Sequence, residues 1–522
     1  MTTVWLRRLG AVSVLGCLLP AALSTLRVQA QTATSAAIPM LRILVNSAQD
    51  GPIQPDQGLT LREAIALTNG DLTVDRLSPQ EAAQVQPADP SAIASEIGFN
   101  LPLDQTTIYL KEALPPLRAV GLSLDGTTQP NYGKSLATDG LKPIVAIAPA
   151  PGTEILRGLT ILADRVAVRG LSLYGFTQAN LKRPAVGSLL SADILVARQF
   201  PELVKAGDRP EPPIQGVILE RNWLGVSPDD SVPAVASDFG LSIFNGTGTL
   251  IRNNYIANHG GSAIITGINA QDTVINGNRI VRNGQTGMAD ALRLEGKIGG
   301  TQIIANEIRE SGGSAIYLFK SEGAVTIQEN QITGNGSRLK QAAVVLMGSD
   351  HQVLKNVISN QSGPGVVVAA YPKSDRNTLK DNRFSRIKGL SIDLLTREYT
   401  EVANYLAGDG PNPTRDSENR RRETGNGSIN TPEFLSTVFY LQGNVVNLDG
   451  KADPGATVMI YKVTELGEDY GPLNEPLATV QTDEKGRFAL TLEGLKAGDR
   501  VSAIATHPNH GTSEPALNAI VR

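Results

Sequence analysis

Cysteine and aromatic side chains are scarce in this sequence. Its 522 residues include a single cysteine, Cys17, and only 4% are Phe, Trp or Tyr. One thiol excludes an internal disulfide and every zinc site that is built from several cysteines. Because aromatic residues are few and 52 residues are glycine, we expect a fold with many turns and small packed side chains.

An excess of one charge is also missing. The chain has 47 Lys and Arg against 51 Asp and Glu, a formal net charge of −4. This balance argues against a general nucleic-acid surface or an anionic-membrane surface. The hydrophobic content of 41% is enough for a sizeable core, so the composition excludes wholesale disorder. At roughly 150 residues a domain the length allows about three domains, or fewer if one is a large all-β unit.

Residues 1–30 have the three-part pattern of a secretory signal peptide. A positive start at Arg7 and Arg8 precedes an apolar run from Leu9 to Leu23, and Val28-Gln29-Ala30 is a small-x-small cleavage site. No later stretch is long and apolar enough to span a bilayer. We therefore expect an exported protein, cleaved near Ala30, that is secreted, periplasmic or attached to the cell surface. The residues before Cys17 loosely resemble a lipoprotein signal, so lipidation there is an open alternative.

The middle of the chain repeats the pattern apolar-x-x-Asn-x-apolar. Each repeat also holds a second short run of β-forming residues, such as SAIYL from Ser314 and AAVVL from Ala342. Two or three short strands in each unit of about 25 residues are typical of one coil of a parallel β-helix. The shared asparagines are spaced by 24 to 32 residues: Asn222, Asn254, Asn278, Asn306, Asn330, Asn356 and Asn382.

The asparagine column has a structural and a functional interpretation. In a β-helix, alternate side chains point inward and stack on the coil above, about 4.8 Å away. Asparagine tolerates a left-handed turn, and its amide can bond the backbone or the next asparagine in line. The seven asparagines therefore predict an inward ladder, with contact to a ligand as the alternative.

Both ends of the chain differ from the repeats, as expected for segments that cap the open ends of a β-helix. In the predicted N-terminal cap region, residues 31–119, the stretch 58–69 predicts an amphipathic helix with Thr60 as N-cap and Glu63 completing a capping box. The adjacent charges Arg62 and Glu63 favour a structural over a catalytic role. The β-helix itself is predicted over residues 120–400. An insertion at about 181–213, with a short helix around residues 193–206, is either a wall of a binding site or a tolerated surface loop.

The last part of the chain is polar at first and then strand-rich. Residues 401–435 predict a linker or crossing segment. Within it, Asp409 and Asp416 could hold a Ca²⁺ ion, which is the only cofactor that the sequence suggests. Residues 436–522 predict a small antiparallel sandwich, immunoglobulin-like in outline, with turns at Asp453-Pro454-Gly455 and before Gly486. The predicted fold class is therefore all-β: a right-handed parallel β-helix with an N-terminal capping helix and a small C-terminal sandwich.

Four segments resemble a known group of proteins. LTLREAIALTN from Leu59 resembles the "CSLREA" segment of secreted bacterial right-handed β-helix proteins, with Leu59 in place of the cysteine. LDGTTQPNY from Leu124, NWLGVSPDD from Asn222 and VSAIATHPNHGTSEPA from Val501 resemble further segments of the same group, in the same order. The resemblance spans nearly all of the chain after residue 30. It implies a fold and an exported location, and it supplies no catalytic motif.

The outward side chains of the second strand in each coil are the candidate site. If Leu292 and Leu294 point inward, Arg293 points outward, and with Asp290 and Glu295 it makes one charged coil. The outward neighbours on other coils are apolar and predict an exposed ribbon, which usually marks an interface. In a binding groove Phe244, Tyr317 and Phe319 would stack on sugar rings. The ribbon comprises Phe244, Ile265, Tyr317, Phe319, Val345 and Met347. The alternative is that another part of the chain covers the ribbon.

Two functions follow from these candidates. The first is a non-catalytic exported protein that binds polysaccharide or a cell-surface protein, with no nucleic-acid partner. The alternative is a polysaccharide lyase, hydrolase or epimerase with Asp290, Arg293 and Glu295 at the active coil and Glu322 or His351 nearby. We favour the first, because a lyase needs carboxylates on consecutive coils and the neighbouring coils are apolar. No metal pair and no cofactor fingerprint is present in the sequence, and it fixes neither the ligand nor the oligomeric state.

Overall fold

The computed structural model describes residues 40–134, 136–137, 140–178, 191–205, 211–396, 407–419, 423–465 and 469–522. The predicted signal peptide and Cys17 lie outside the described residues. The predicted fold class is confirmed, because the chain forms a right-handed parallel β-helix whose coils contribute strands to three long sheets. We name these sheets A, B and C in the order in which a coil enters them.

Sheet A has twelve strands. Eleven of them are parallel, and the edge strand Val85–Pro87 pairs antiparallel with the first coil. Each strand has a central residue that faces the core, as Ile275 and Ile303 do. From the N-terminal end the parallel strands are Leu41–Val45, Glu96–Phe99, Ser123–Asp125, Ala167–Arg169, Ile218–Glu220, Leu250–Arg252, Val274–Asn276, Gln302–Ile304, Thr326–Gln328, Gln352–Leu354 and Thr378–Lys380.

Sheets B and C are parallel and run along the same coils. Sheet B comprises Thr107–Leu110, Val145–Pro149, Leu171–Leu173, Trp223–Leu224, Tyr255–Ala257, Arg279–Val281, Glu307–Arg309, Gln331–Thr333, Val357–Gln361 and Arg383–Ile387. Sheet C comprises Arg157–Ile161, Ala192–Val196, Phe239–Thr247, Ile264–Asn269, Leu292–Leu294, Ile316–Leu318, Val344–Leu346, Val366–Val368 and Ile392–Leu394, with Ile214–Gln215 paired to its third strand.

The seven repeated asparagines lie buried in the turn between sheets A and B. The backbone N–H of each of the first six donates to Oδ1 of the next, at 2.9 to 3.0 Å. Their side-chain amides donate to carbonyls of the preceding coil, as Asn306 does to Ile275. The left-handed backbone is carried by the residue before each asparagine, for example Ala305 at φ 53°. The asparagine therefore accepts and donates hydrogen bonds, while its neighbour makes the turn.

The N-terminal helix spans Leu61–Asn69 and has the predicted N-cap and capping box. Arg62 is buried and donates from Nε and Nη2 to both carboxylate oxygens of Asp50, at 2.8 and 3.0 Å. This buried pair joins the helix to the preceding loop, as expected for a structural role. The other helices are short: Val74–Arg76, Pro79–Ala82, Gly126–Thr128, Pro201–Leu203 and Asn426–Ser428.

The predicted helix around residues 193–206 is wrong. Residues Ala192–Val196 form a strand of sheet C, between Arg157–Ile161 and Phe239–Thr247. Ile194 and Val196 alternate inward and are buried in the core, which decides for a strand over a helix. Part of the predicted insertion is therefore a regular coil, and only Pro201–Leu203 is helical. Residues 179–190 and 206–210 lie outside the described residues.

Residues 433–522 form two further sheets beyond the last coil. One contains Glu433–Phe434, Leu441–Gln442, Val445–Lys451 and Arg487–Glu493, and the other contains Val438–Phe439, Thr457–Val463, Glu475–Gln481, Arg500–His507, Gly511–Thr512 and Ala519–Val521. Their pairings are antiparallel except that of Val438–Phe439 with Ala519–Val521. The immunoglobulin-like outline stays a prediction. A separate small ladder joins Leu136–Ala137 to Gly140–Leu141.

Backbone hydrogen bonds join these two sheets to the last coil. Thr512 donates from its N–H to the carbonyl of Asn377 at 2.9 Å, and its hydroxyl accepts from the N–H of Leu379. Phe384 donates from its N–H to the carbonyl of Leu473, also at 2.9 Å. The C-terminal sheets therefore satisfy backbone groups that the last coil would otherwise leave open.

Candidate functional site

The outer face of sheet C follows the predicted register. Leu292, Leu294, Ile316 and Leu318 belong to the main core. Their strand neighbour Arg293 is half-buried on the opposite face, because successive side chains of a strand alternate. The sequence therefore placed the outward side chains correctly.

Asp290, Arg293 and Glu295 form one ionic group. Arg293 donates from Nε to Glu295 Oε1, and its Nη1 lies 3.4 Å from Asp290 Oδ2. Asp290 is 3% exposed and accepts a hydrogen bond from the N–H of Ser314 at 3.1 Å. Burial raises the pKa of Asp290, although the charge of Arg293 opposes the shift. The three residues that the sequence singled out are thus brought together.

Two aromatic rings extend this group to the next coil. The guanidinium carbon of Arg293 lies 4.9 Å from the ring centroid of Tyr317 and 4.4 Å from that of Phe319. The two rings meet edge-on at 5.5 Å. Lys320 Nζ lies 5.4 Å from the ring of Phe319 and 5.9 Å from that of Tyr371, so it lies between two aromatic side chains.

We call seven neighbouring residues the Arg293 cluster: Asp290, Arg293, Glu295, Tyr317, Phe319, Lys320 and Tyr371. Lys320 is exposed, Phe319 is half-buried and the side chain of Tyr371 is 60% exposed. Sequence reasoning missed Lys320 and Tyr371, because both lie in loops beyond the strand ends where no period marks them.

The predicted exposed ribbon is wrong for four of its six residues. Tyr317 is 2% exposed, and Ile265, Val345 and Met347 are buried as well. Tyr317, Val345 and Met347 form a small cluster separate from the main core, so they face outward from sheet C and are nevertheless covered. Phe244 is only half-buried. Among the described residues, its ring makes no contact with the rings of the Arg293 cluster.

A crossing segment packs on the ends of the last two strands of sheet C. Gly425 donates from its N–H to the carbonyl of Leu395 at 3.2 Å, and Asn426 donates to the carbonyl of Ser374 at 2.7 Å. A Cβ placed on Gly425 would lie 2.8 Å from a methyl group of Val368. Residues 423–428 therefore run across the last coils in close contact, and only a residue without a side chain fits at 425.

The histidines near the repeats are buried away from this face. His259 Nε2 lies 2.9 Å from Asp193 Oδ2, and its Nδ1 lies 2.8 Å from Asn283 Oδ1. All three side chains are fully buried, so this group stabilises the turn between sheets B and C. His351 is also buried, and burial lowers its pKa to about 4. It accepts the N–H of Val325 on Nδ1 and is neutral at neutral pH.

No metal centre is formed by the described parts of the chain, where no group of three or more His, Cys, Asp or Glu residues is placed to hold an ion. Asp409 Oδ2 accepts from the N–H and hydroxyl of Thr396, at 3.0 and 3.1 Å, and Asp416 is exposed. The suggested Ca²⁺ ion stays a prediction. In the same described residues, no helix has the length and apolar character needed to cross a membrane.

Comparison with known proteins agrees with the fold. A family model described as a right-handed β-helix region matches residues 234–350 and 286–405, which include the whole Arg293 cluster. The chain matches none of the curated proteins.

Several solved structures are similar to this chain at low identity. PfbA, a surface protein and adhesin of Streptococcus pneumoniae, is 14% identical with a TM-score of 0.37, over 57% of this chain and 86% of that one. ORF18 of Geobacillus virus E2 is 10% identical with a TM-score of 0.42, over 82% and 70%. The DFA-IIIase of Arthrobacter chlorophenolicus A6 is 13% identical with a TM-score of 0.36, over 67% and 91%. These values carry no conclusion about what this chain binds.

Proposed function

We propose that this protein is exported and binds polysaccharide, without catalysis, through the Arg293 cluster on the outer face of sheet C. The observation that carries the proposal is the row formed by Phe319, Lys320 and Tyr371, in which an exposed cation lies between two aromatic rings. Ring faces pack against the apolar face of a sugar. Lys320 and Glu295 then supply a donor and an acceptor for its hydroxyl or carboxylate groups.

The rigidity of the cluster favours binding. Arg293 is held by Glu295 and packs on both Tyr317 and Phe319. A platform that is ordered before the ligand arrives loses less conformational entropy on binding. A cell-surface protein bound through the same cluster is the alternative partner, since aromatic side chains and Arg are also enriched at protein interfaces.

Catalysis is the second candidate function, and one observation favours it. The pKa of Asp290 is raised by burial, as a general acid requires. However, Asp290 is 3% exposed, and its two oxygens face the N–H of Ser314 and the guanidinium of Arg293. A proton donor must reach the leaving group, and this carboxyl is enclosed by its own protein. We therefore rank binding above polysaccharide cleavage.

The test uses residues 31–522 with insoluble and soluble polysaccharides, with and without Ca²⁺. Pellets are assayed for bound protein and supernatants for newly released sugar ends. We expect binding without release, and we expect Tyr371→Ala and Lys320→Gln each to weaken it about 5- to 10-fold, as for a central interface contact. Tyr440→Ala is the matched control, because Tyr440 is 68% exposed on the C-terminal sheets.

Each result separates the candidates. Release that disappears in Arg293→Ala would establish an enzyme and overturn the non-catalytic proposal. Binding that both cluster variants leave unchanged would show that the cluster is not the binding site.

A further inference from the structure

A groove lies where the last coil, the crossing segment and the C-terminal sheets meet. It consists of two adjoining cavities of about 350 and 330 Å³. Both are lined by Pro411 and Tyr470, so together they make one groove with a shared central wall. Each volume is within the range of small-ligand sites, about 300 to 1,000 Å³. Asp393, which lines one end, lies four coils beyond Arg293, roughly 19 Å along sheet C.

Hydrogen bonds fix the walls of this groove. The carboxyl of Asp393 accepts from the N–H groups of Asp409 and Gly410, at 3.3 and 3.2 Å, which holds the crossing segment on the last coil. Asn412 donates from Nδ2 to the carbonyl of Leu394 at 2.7 Å. Tyr470 forms an antiparallel bridge with Leu517. The groove is therefore set by contacts among three parts of the chain.

The lining has the chemistry of a site for a neutral sugar chain. The floor of the larger cavity includes the ring of Phe434 and the side chain of Leu517, while Thr431 and Thr437 supply hydroxyl groups. Glu433 lines the larger cavity and Asp469 the smaller one, and both are exposed. No Lys, Arg or His lines either cavity among the described residues. Hydroxyl and carboxylate oxygens accept from sugar hydroxyls, whereas the two carboxylates repel an anionic chain.

We infer that this groove binds a segment of a neutral polysaccharide, with one sugar on each side of the Tyr470 ring. The site differs from the Arg293 cluster in position and in charge, because the cluster contains Arg293 and Lys320 and the groove contains acidic groups alone. The two sites would allow one molecule to hold a polymer at two places along the coils, which raises the overall affinity.

The test measures calorimetric binding of soluble oligosaccharides to residues 31–522. The probes are neutral gluco-, manno- and xylo-oligosaccharides, with oligogalacturonate, chitosan oligomers and a lysine-rich peptide for comparison. We expect saturable binding of a neutral oligosaccharide, a loss of at least tenfold in Tyr470→Ala and near wild-type affinity in Tyr470→Phe, which retains the ring. Tyr440→Ala is the matched control, since this exposed tyrosine lines neither cavity.

The remaining outcomes are equally informative. Neutral binding that is lost in Tyr371→Ala and retained in Tyr470→Ala would overturn this inference and support the function proposed above. If only oligogalacturonate, only chitosan or only the peptide bound, with the same dependence on Tyr470, the assignment of a neutral ligand would be overturned. No saturable binding of any neutral probe would overturn the inference as well. Tyr470→Ala could lose binding because it is less stable, which a lower melting temperature would reveal. Tyr470→Phe controls for this effect, because it keeps the packing of the ring.

Discussion

The asparagines between sheets A and B illustrate how a single residue type can define each coil. Asn306 accepts the N–H and the side-chain amide of Asn278 on one oxygen, at 2.9 and 3.0 Å, and donates to the carbonyl of Ile275. A buried backbone N–H that loses its acceptor costs about 1 to 3 kcal/mol. The ladder therefore stabilises every turn that it joins.

We predict that Asn306→Ala lowers the free energy of unfolding by about 2 to 4 kcal/mol, since it removes an acceptor and several donor contacts at once. Denaturant unfolding followed by circular dichroism measures the change. Asn276→Ala in the preceding coil is the control, because the side chain of Asn276 is half-buried in sheet A and lies outside the ladder. Equal losses in the two variants would show that the ladder has no special role.

The sequence allowed the ladder to be anticipated but not its neighbours. The seven asparagines recur at a nearly constant spacing, and such a period is readable from one sequence. Asp193 and His259 are 66 residues apart and meet in a buried pair, and no local pattern connects them. Single contacts of this kind depend on how coils stack, so they become visible only in the structure.

At the scale of an element, short strands and stacked turns were predicted with different success. A short helix was predicted around residues 193–206, whereas pairing with two neighbouring coils makes Ala192–Val196 a strand. His351 belongs to another stacked turn. Its N–H donates to Asn377 Oδ1, and the N–H of Asn377 donates to Asn426 Oδ1. In this column an asparagine and a histidine take equivalent positions.

We predict that His351 makes the protein less stable in acid. Burial lowers the pKa of His351 to about 4, whereas an unfolded histidine titrates near 6.5. Between these values the unfolded chain binds the extra proton and the folded chain does not, so stability falls as the pH falls from about 6.5 to about 4. The full effect is about 3 kcal/mol.

The variant His351→Asn tests this prediction. Its side-chain oxygen can accept the N–H of Val325, as Asn377 Oδ1 accepts that of His351, and it does not titrate. Unfolding free energies at pH 4, 5, 6 and 7 should therefore decline less in the variant than in the wild type. The exposed pair Asp350 and Arg376 is unchanged and serves as an internal control. Parallel pH profiles would rule out His351 as the cause.

At the scale of the whole molecule, the C-terminal sheets and the crossing segment close the end of the β-helix. Residues 423–428 lie against the last two coils, where Gly425 donates to the carbonyl of Leu395 and Asn426 to that of Ser374. A repeat pattern describes how each coil is built and says nothing about which distant segment returns to cover it. Glu514 is the residue that joins all three parts. It accepts from the N–H of Leu394 at 3.0 Å and from the N–H and side-chain amide of Asn412, at 2.8 and 2.7 Å.

This junction should weaken as the pH rises. Burial raises the pKa of Glu514 to about 7, although its hydrogen bonds with Asn412 and Leu394 oppose the shift. The unfolded carboxyl titrates near 4.3. Between these values the folded chain binds the extra proton, so this stabilising contribution is complete below about pH 4 and is lost as the pH rises to about 7. Its size is about 3 kcal/mol, and its slope opposes that of His351.

The variant Glu514→Gln separates the two slopes, because glutamine keeps the acceptor for Leu394 and carries no charge. It loses the acceptor for the N–H of Asn412, so we expect the variant to be about 1 kcal/mol less stable at pH 5. Because His351 then acts alone, the stability of the variant should rise from pH 5 to about 6.5 and stay level above it. The wild type should instead be nearly level from pH 5 to about 6.5, where the two residues offset each other, and decline as the pH rises through 7. Glu493→Gln, on an exposed strand end of the same sheets, should leave the decline intact. His351 changes stability below pH 6.5 only, and the variant lacks the carboxyl of Glu514. A stability that still falls between pH 6.5 and 7 in Glu514→Gln therefore has neither residue as its source. That result would place the sensitive group elsewhere in the molecule.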